Sequence, residues 1–76
     1  MTALVPLVAG ILGVAESDVD DTTGAATTAH WTSLRHVQIV VAVQDAYGVR
    51  IAAREARRCR SVGALRAVLA EKGVEL

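Results

Sequence analysis

Trp31-Thr32-Ser33-Leu34-Arg35-His36-Val37-Gln38-Ile39-Val40 decides how the rest of the chain is read. A long polar stretch ends here, two hydroxyl residues follow, and a Val-rich run begins. Thr and Ser both cap helix N-termini well, because the side-chain oxygen accepts from a backbone N–H of the first turn. The spacing predicts a helix from about Ser33 to Tyr47, with Leu34, Val37, Val40, Val41 and Tyr47 turned inward and Gly48 stopping it. Ser33 then stands in the first turn, displayed beside a loop. Either Thr32 or Ser33 can serve as the cap, and local physics alone favours capping over a chemical role.

Working outward, Leu4, Leu7, Val8, Ile11 and Leu12 follow the i, i+3, i+4, i+7, i+8 spacing of one buried helix face. Pro6 fits only a first turn, so regular helix is expected to begin near it, and Gly13 sits where a left-handed residue ends a helix. On the other side, Ala52 to Arg58 reads as a short third helix. Ser61 is a good N-cap for a fourth, whose buried stripe is Val62, Leu65, Val68 and Leu69. Lys72 falls in its last turn, with Gly73 just beyond. The expected fold is all-α: a four-helix bundle with a long loop between helices 1 and 2 and a short third helix, forming one domain over residues 1–76.

Composition agrees. The chain has 76 residues, close to the smallest size at which a hydrophobic core suffices alone. One Trp, one Tyr and no Phe make that core aliphatic. Cys59 is alone, so no intrachain disulfide forms; as a small hydrophobe it is expected in the core, with its thiol sensitised by Arg57, Arg58 and Arg60 only if exposed. No apolar run reaches the ~18 residues of a membrane span, and no basic segment opens a signal peptide. A cytoplasmic monomer with no membrane association is the expectation.

Charge is zero in total but uneven. Residues 1–30 carry Glu16, Asp18, Asp20 and Asp21 without a Lys or Arg, a net −4; residues 31–76 carry eight bases against Asp45, Glu55, Glu71 and Glu75, a net +4. Arg50, Arg54, Arg57, Arg58 and Arg60 cluster. Nucleic acid is not the expected partner, because the domain is not basic overall and has no stacking or base-reading set. A solvated helix surface comes first, and a docking surface for an acidic protein next.

The other chemistries fail on particular residues. Read as a calcium loop from Asp18, the glycine position holds Thr23 and the bidentate glutamate position Ala29. The three Asp residues read instead as turn and capping groups. His30 and His36 are expected to face solvent or lie near Ser33, and with one Cys they make no zinc site. His36 shares a helix face with Ser33. Nucleophilic catalysis also needs an orienting third group and oxyanion donors in a dry pocket, and Ser33 sits in no Gly-x-Ser-x-Gly elbow. No catalytic residue and no metal ligand is assigned. Trp31 is expected to anchor the long loop against the bundle.

The order of helix, long loop, Trp31-Thr32-Ser33-Leu34-Arg35-His36-Val37, Val-rich helix, Ala46-Tyr47-Gly48-Val49-Arg50-Ile51, short helix and final helix resembles the acyl carrier proteins. These are the phosphopantetheine-dependent carriers of fatty acid, polyketide and nonribosomal peptide synthesis, and the similarity spans essentially the whole chain. The resemblance implies that Ser33 receives 4′-phosphopantetheine from coenzyme A through a separate phosphopantetheinyl transferase. The arm's thiol would then hold an acyl, aminoacyl or related cargo as a thioester, without catalysis by the carrier itself. Implied partners are that transferase, a loading enzyme (an acyltransferase or adenylating ligase), and a ketosynthase or other acceptor. Docking is implied for Thr32, Leu34, Arg35, His36, Gln38, Arg54, Arg57 and Arg58. The family usually has Asp before its serine and acidic second and third helices; here Thr32 precedes Ser33 and the third helix is Arg-rich. Those departures point to a discrete carrier in a specialised pathway, polyketide or antibiotic biosynthesis among them, that docks poorly to generic fatty-acid synthase enzymes. The alternative is a carrier-like helical adaptor that never receives the arm and acts through protein contacts alone.

Overall fold

The computed structural model describes residues 3–74; Glu75, counted above among the acids, lies outside them. Among the described residues there are four α-helices and no strand: α1 (Leu4–Leu12), α2 (Ser33–Tyr47), α3 (Ala53–Arg58) and α4 (Val62–Glu71). This is the expected all-α bundle, with the long loop between α1 and α2 and a short α3. Pro6 lies in the first turn of α1, where its missing N–H costs no intrahelical bond. Gly13 (φ 73°) and Gly48 (φ 64°) close α1 and α2 in the left-handed conformation that their lack of a Cβ permits. Helix α3 starts one residue later than expected. Ala52 is its N-cap and has no side-chain oxygen, so the Glu55 carboxylate accepts from the Ala52 N–H at 3.0 Å instead.

One aliphatic core holds the bundle together. Leu4, Val8, Ala9 and Leu12 of α1 meet Ile39, Val40 and Val43 of α2 and the expected α4 stripe Val62, Leu65, Val68 and Leu69. Helix α1 packs on both α2 and α4, while α3 rests on α4. Val19, Trp31, Ile51 and Cys59 close the core from the connections. Cys59 is fully buried, and burial pushes its thiol above the ordinary range, outweighing the opposing effect of Arg58.

The buried face of α2 differs from the expected one. Val40 is buried and Tyr47 half-buried, but Leu34 (68% exposed), Val37 (58%) and Val41 (49%) face outward. Ile39 and Val43 occupy the core in their place. Apolar residues run almost round α2, so the pattern along the chain permits two rotations of the helix. The packing of α1 against α2 selects between them.

The long loop is tied down along its length. A 3-10 turn at Glu16–Asp18 leads to buried Val19. Asp20 Oδ1 then accepts from the Thr22 N–H at 2.9 Å and the Thr22 hydroxyl at 2.6 Å. Those bonds hold the Asp20 carboxyl below its usual range, led by the Thr22 hydroxyl. Asp21 pairs with Arg66 at 3.1 Å. Asp20 and Asp21 thus act as turn and pairing groups. Further on, Gly24 forms an isolated antiparallel bridge with Ser61, pinning the loop to the start of α4.

Candidate functional site

The two helix N-termini nearest the loop differ in one respect. At α4 the first three N–H groups are all satisfied: Val62 donates to Thr23 O (2.9 Å), Gly63 to Asp21 O (2.9 Å) and Ala64 to Ser61 Oγ (3.1 Å). At α2 only the third is satisfied. Thr32 is the N-cap, and its hydroxyl accepts from the Arg35 N–H at 3.2 Å. The Ser33 and Leu34 N–H groups have no acceptor among the described residues. An open helix start of this kind favours an anion, through unpaired donors and the aligned peptide dipoles.

The cap assignment settles what Ser33 is free to do. Because Thr32 takes the capping role, Ser33 occupies the first helical position. It is exposed, and its hydroxyl makes no hydrogen bond among the described residues. Ser61, by contrast, spends its hydroxyl as the α4 cap. A shallow groove of about 250 Å³ opens beside Ser33. Trp31, Thr32, Ser33, His36 and Val37 form one wall, and Ala25 and Arg60 the other.

Trp31 and His36 give that groove a fixed base. Trp31 is buried, as an anchor for the loop should be, and its Nε1–H donates to His36 Nδ1 at 3.0 Å. Nδ1 is therefore an acceptor, which leaves Nε2 carrying the proton and donating to Ala56 O at 2.8 Å. One neutral imidazole thus joins the loop, α2 and α3. Sequence reasoning placed His36 near Ser33 but missed both bonds, which depend on how α3 folds back.

Arg35 also turns inward. Its NH1 donates to Leu12 O at 2.9 Å and to His30 O at 3.3 Å, tying the end of α1 and the loop to α2. His30 itself is exposed. Of the other residues named for docking, Thr32, Leu34, Gln38, Arg54, Arg57 and Arg58 are all exposed. Arg58 is paired with Glu71 at 3.0 Å on the open surface, whereas the side chains of Arg54, Arg57 and Arg60 make no hydrogen bond or salt bridge among the described residues. Leu34, Gln38 and the outward Val37 and Val41 share α2, but α3 carries Arg54, Arg57 and Arg58 on a separate element.

This arrangement suits a displayed, modifiable hydroxyl, and the imidazole that lines the same groove, His36, has both ring nitrogens engaged elsewhere. Residues 2–69 match the family model described as the phosphopantetheine attachment site. The chain belongs to the phosphopantetheine-attachment family. No curated protein sequence matches the chain. Family members carry 4′-phosphopantetheine covalently on a serine and act as acyl carriers, so the chain is a phosphopantetheine-bearing carrier protein, and a phosphopantetheinyl transferase and further enzymes are implied as its partners. The residues present fit the group: an exposed serine, two open N–H donors and a groove bordered by an arginine. No helix among the described residues is long and apolar enough to cross a membrane.

Proposed function

We propose that Ser33 is the serine that carries the arm, and that this cytoplasmic protein is a non-catalytic thioester shuttle of a specialised biosynthetic pathway such as polyketide or nonribosomal peptide synthesis. One observation carries the assignment: Thr32 caps α2, which leaves the Ser33 hydroxyl exposed and unbonded at the head of that helix. In the transfer, Ser33 Oγ attacks the phosphorus of coenzyme A that bears the pantetheine. A phosphodiester forms, the pyrophosphate P–O–P bond breaks, 3′,5′-ADP leaves, and the hydroxyl proton passes to a base of the transferase. The attached arm supplies a terminal thiol for thioester formation. The chain's own residues present the arm: Thr32 fixes the helix start, and Trp31 and His36 hold the loop and α3 around it.

The partner-facing surface follows from exposure and charge. Leu34, Val37 and Val41 offer an apolar stripe on α2 with the polar Gln38 beside it, and Arg54 and Arg57 add exposed positive charge from α3. Arg58 contributes through its exposed pair with Glu71, while Arg35 and His36 shape the surface from within. An acidic, not a basic, partner rim complements this face, which supports a dedicated loading enzyme and acceptor over those of generic fatty acid synthesis.

The deciding experiment is the intact mass after incubation with coenzyme A and a broad-specificity phosphopantetheinyl transferase, for wild type and Ser33→Ala. Wild type gains one phosphopantetheine and the variant none. A gain retained in Ser33→Ala overturns the site. Absence of any gain, both on a folded protein in vitro and on protein isolated from its native host, leaves the unmodified adaptor instead.

A further inference from the structure

Arg60 stands apart from the other arginines of its cluster. Its backbone is fixed: the carbonyl accepts from the Ala25 N–H at 2.9 Å, and its N–H donates to Arg58 O at 2.9 Å. Gly24 packs so closely on this segment that an added Cβ would collide with Arg60 O and lie 2.8 Å from Ser61 Cα. The Cα of Arg60 is therefore held at the edge of the groove that contains Ser33. Its side chain is exposed and, among the described residues, has neither a hydrogen bond nor an ion pair. No carboxylate lines the groove, and the residue between Trp31 and Ser33 is the neutral Thr32. Arg35 is committed to carbonyls and Arg58 to Glu71, so neither competes for a new anion.

We propose that Arg60 binds the phosphodiester that joins the arm to Ser33, so that the arm leaves the protein along the groove between α2 and the α3–α4 connection. This rests on Ser33 as the attachment site. A guanidinium pairs well with phosphate because its planar fork presents parallel N–H donors. Here both ends of the pair are tethered, one by the pinned backbone of Arg60 and one by the covalent bond to Ser33. Attachment thereby restrains the first part of the arm, and the apo protein has a cation waiting for it.

The test compares thermal unfolding of apo and arm-bearing protein, each confirmed by intact mass, in wild type, Arg60→Gln, Arg60→Lys and Arg50→Gln. Arg50 is exposed and borders no part of the groove. In wild type at low salt, attachment raises Tm by roughly 2–6 °C, as expected for a tethered surface ion pair in a domain of this size. The gain shrinks as salt is raised. It is largely lost in Arg60→Gln, partly kept in Arg60→Lys and unchanged in Arg50→Gln. The Arg60 Nε–H resonance also shifts on attachment, whereas that of Arg50 stays in place. An equal gain in wild type and Arg60→Gln, with full mass conversion in both, overturns the role of Arg60 and leaves Ser33 standing. Failure of the wild type to gain the arm removes the Ser33 reading and this one with it.

Discussion

Trp31 Nε1 lies 3.0 Å from His36 Nδ1, with the two rings tilted by 41°, and this contact joins the loop to the helix that displays Ser33. Because the far nitrogen of the same imidazole reaches Ala56 O, the ring must accept on one side and donate on the other. Only the neutral form with the proton on Nε2 does both. Nitrogen-detected NMR of His36 should show an unprotonated Nδ1 at neutral pH. His36→Ala leaves the buried Trp31 N–H without its acceptor and costs about 1–3 kcal/mol. It also shifts the emission of Trp31, the chain's only tryptophan. His36→Gln, which keeps one acceptor and one donor, recovers part of both. Equal loss in the Ala and Gln variants would show that packing, and not the paired hydrogen bonds, matters at this position.

Gly24 and Gly10 make opposite predictions for the same change. A Cβ on Gly24 meets backbone, Arg60 O and Ser61 Cα, neither of which moves without breaking the bridge between the loop and α4. Gly24→Ala therefore destabilises by about 1–3 kcal/mol and speeds hydrogen exchange at Ala25 and Val62. Gly10 lies inside α1, exposed, with nothing within 4 Å of an added Cβ. Gly10→Ala stabilises by about 0.4–1 kcal/mol, since alanine loses less backbone entropy in a helix. Urea unfolding of the two variants beside wild type checks both signs at once.

These features mark where the sequence was readable and where it was not. Helix ends were legible because they are local: Gly13 and Gly48 supply a backbone conformation other residues avoid, and Ser61 supplies an oxygen at the required position. The α4 stripe was legible because its apolar residues occupy one side only. On α2, Leu34, Val37, Ile39, Val40, Val41 and Val43 surround most of the helix, so periodicity left its rotation open. That choice is tertiary, made by the packing of α1 against α2. The same holds for the site. Ser33 could be singled out from its place at a helix start, but the choice between Thr32 and Ser33 as cap needed coordinates. The inward turns of Arg35 and His36 depend on carbonyls 23 and 20 residues away, which no local pattern reveals.

The rotation of α2 carries its own prediction. Ile39 is fully buried and Leu34, Val37 and Val41 are not, so stability and docking separate along one helix. Ile39→Ala costs about 2–5 kcal/mol. Leu34→Ala, Val37→Ala and Val41→Ala each stay within about 0.5 kcal/mol of wild type in urea unfolding. The exposed variants instead lower the kcat/KM of arm transfer by roughly 3- to 30-fold where the transferase covers them, the size expected for an apolar anchor of an interface. Unfolding midpoints that fall for Val37→Ala as far as for Ile39→Ala would place Val37 in the core and refute the observed rotation.

Acid should loosen α3 through one carboxylate. Glu55 accepts from the Ala52 N–H at 3.0 Å and from Lys72 Nζ at 2.9 Å. Those contacts, the Ala52 N–H first, hold its carboxyl below the usual range. A carboxyl whose folded value is depressed stabilises the fold above its unfolded value, and loses that contribution as pH falls through the folded one. The window therefore starts in the ordinary carboxylate range and extends below it. Glu55 and Lys72 are only 27% and 21% exposed in their side chains, against 59% for each member of the Arg58–Glu71 pair. The first pair is thus better shielded from salt. Glu55→Gln should unfold at lower temperature than wild type at neutral pH, with the gap closing as the solution is acidified through that window. Glu71→Gln should show little gap at any pH. A Glu55→Gln gap that stays constant into acid would assign its effect to the neutral amide's poorer fit at the α3 start, and remove the ionised carboxylate from the account.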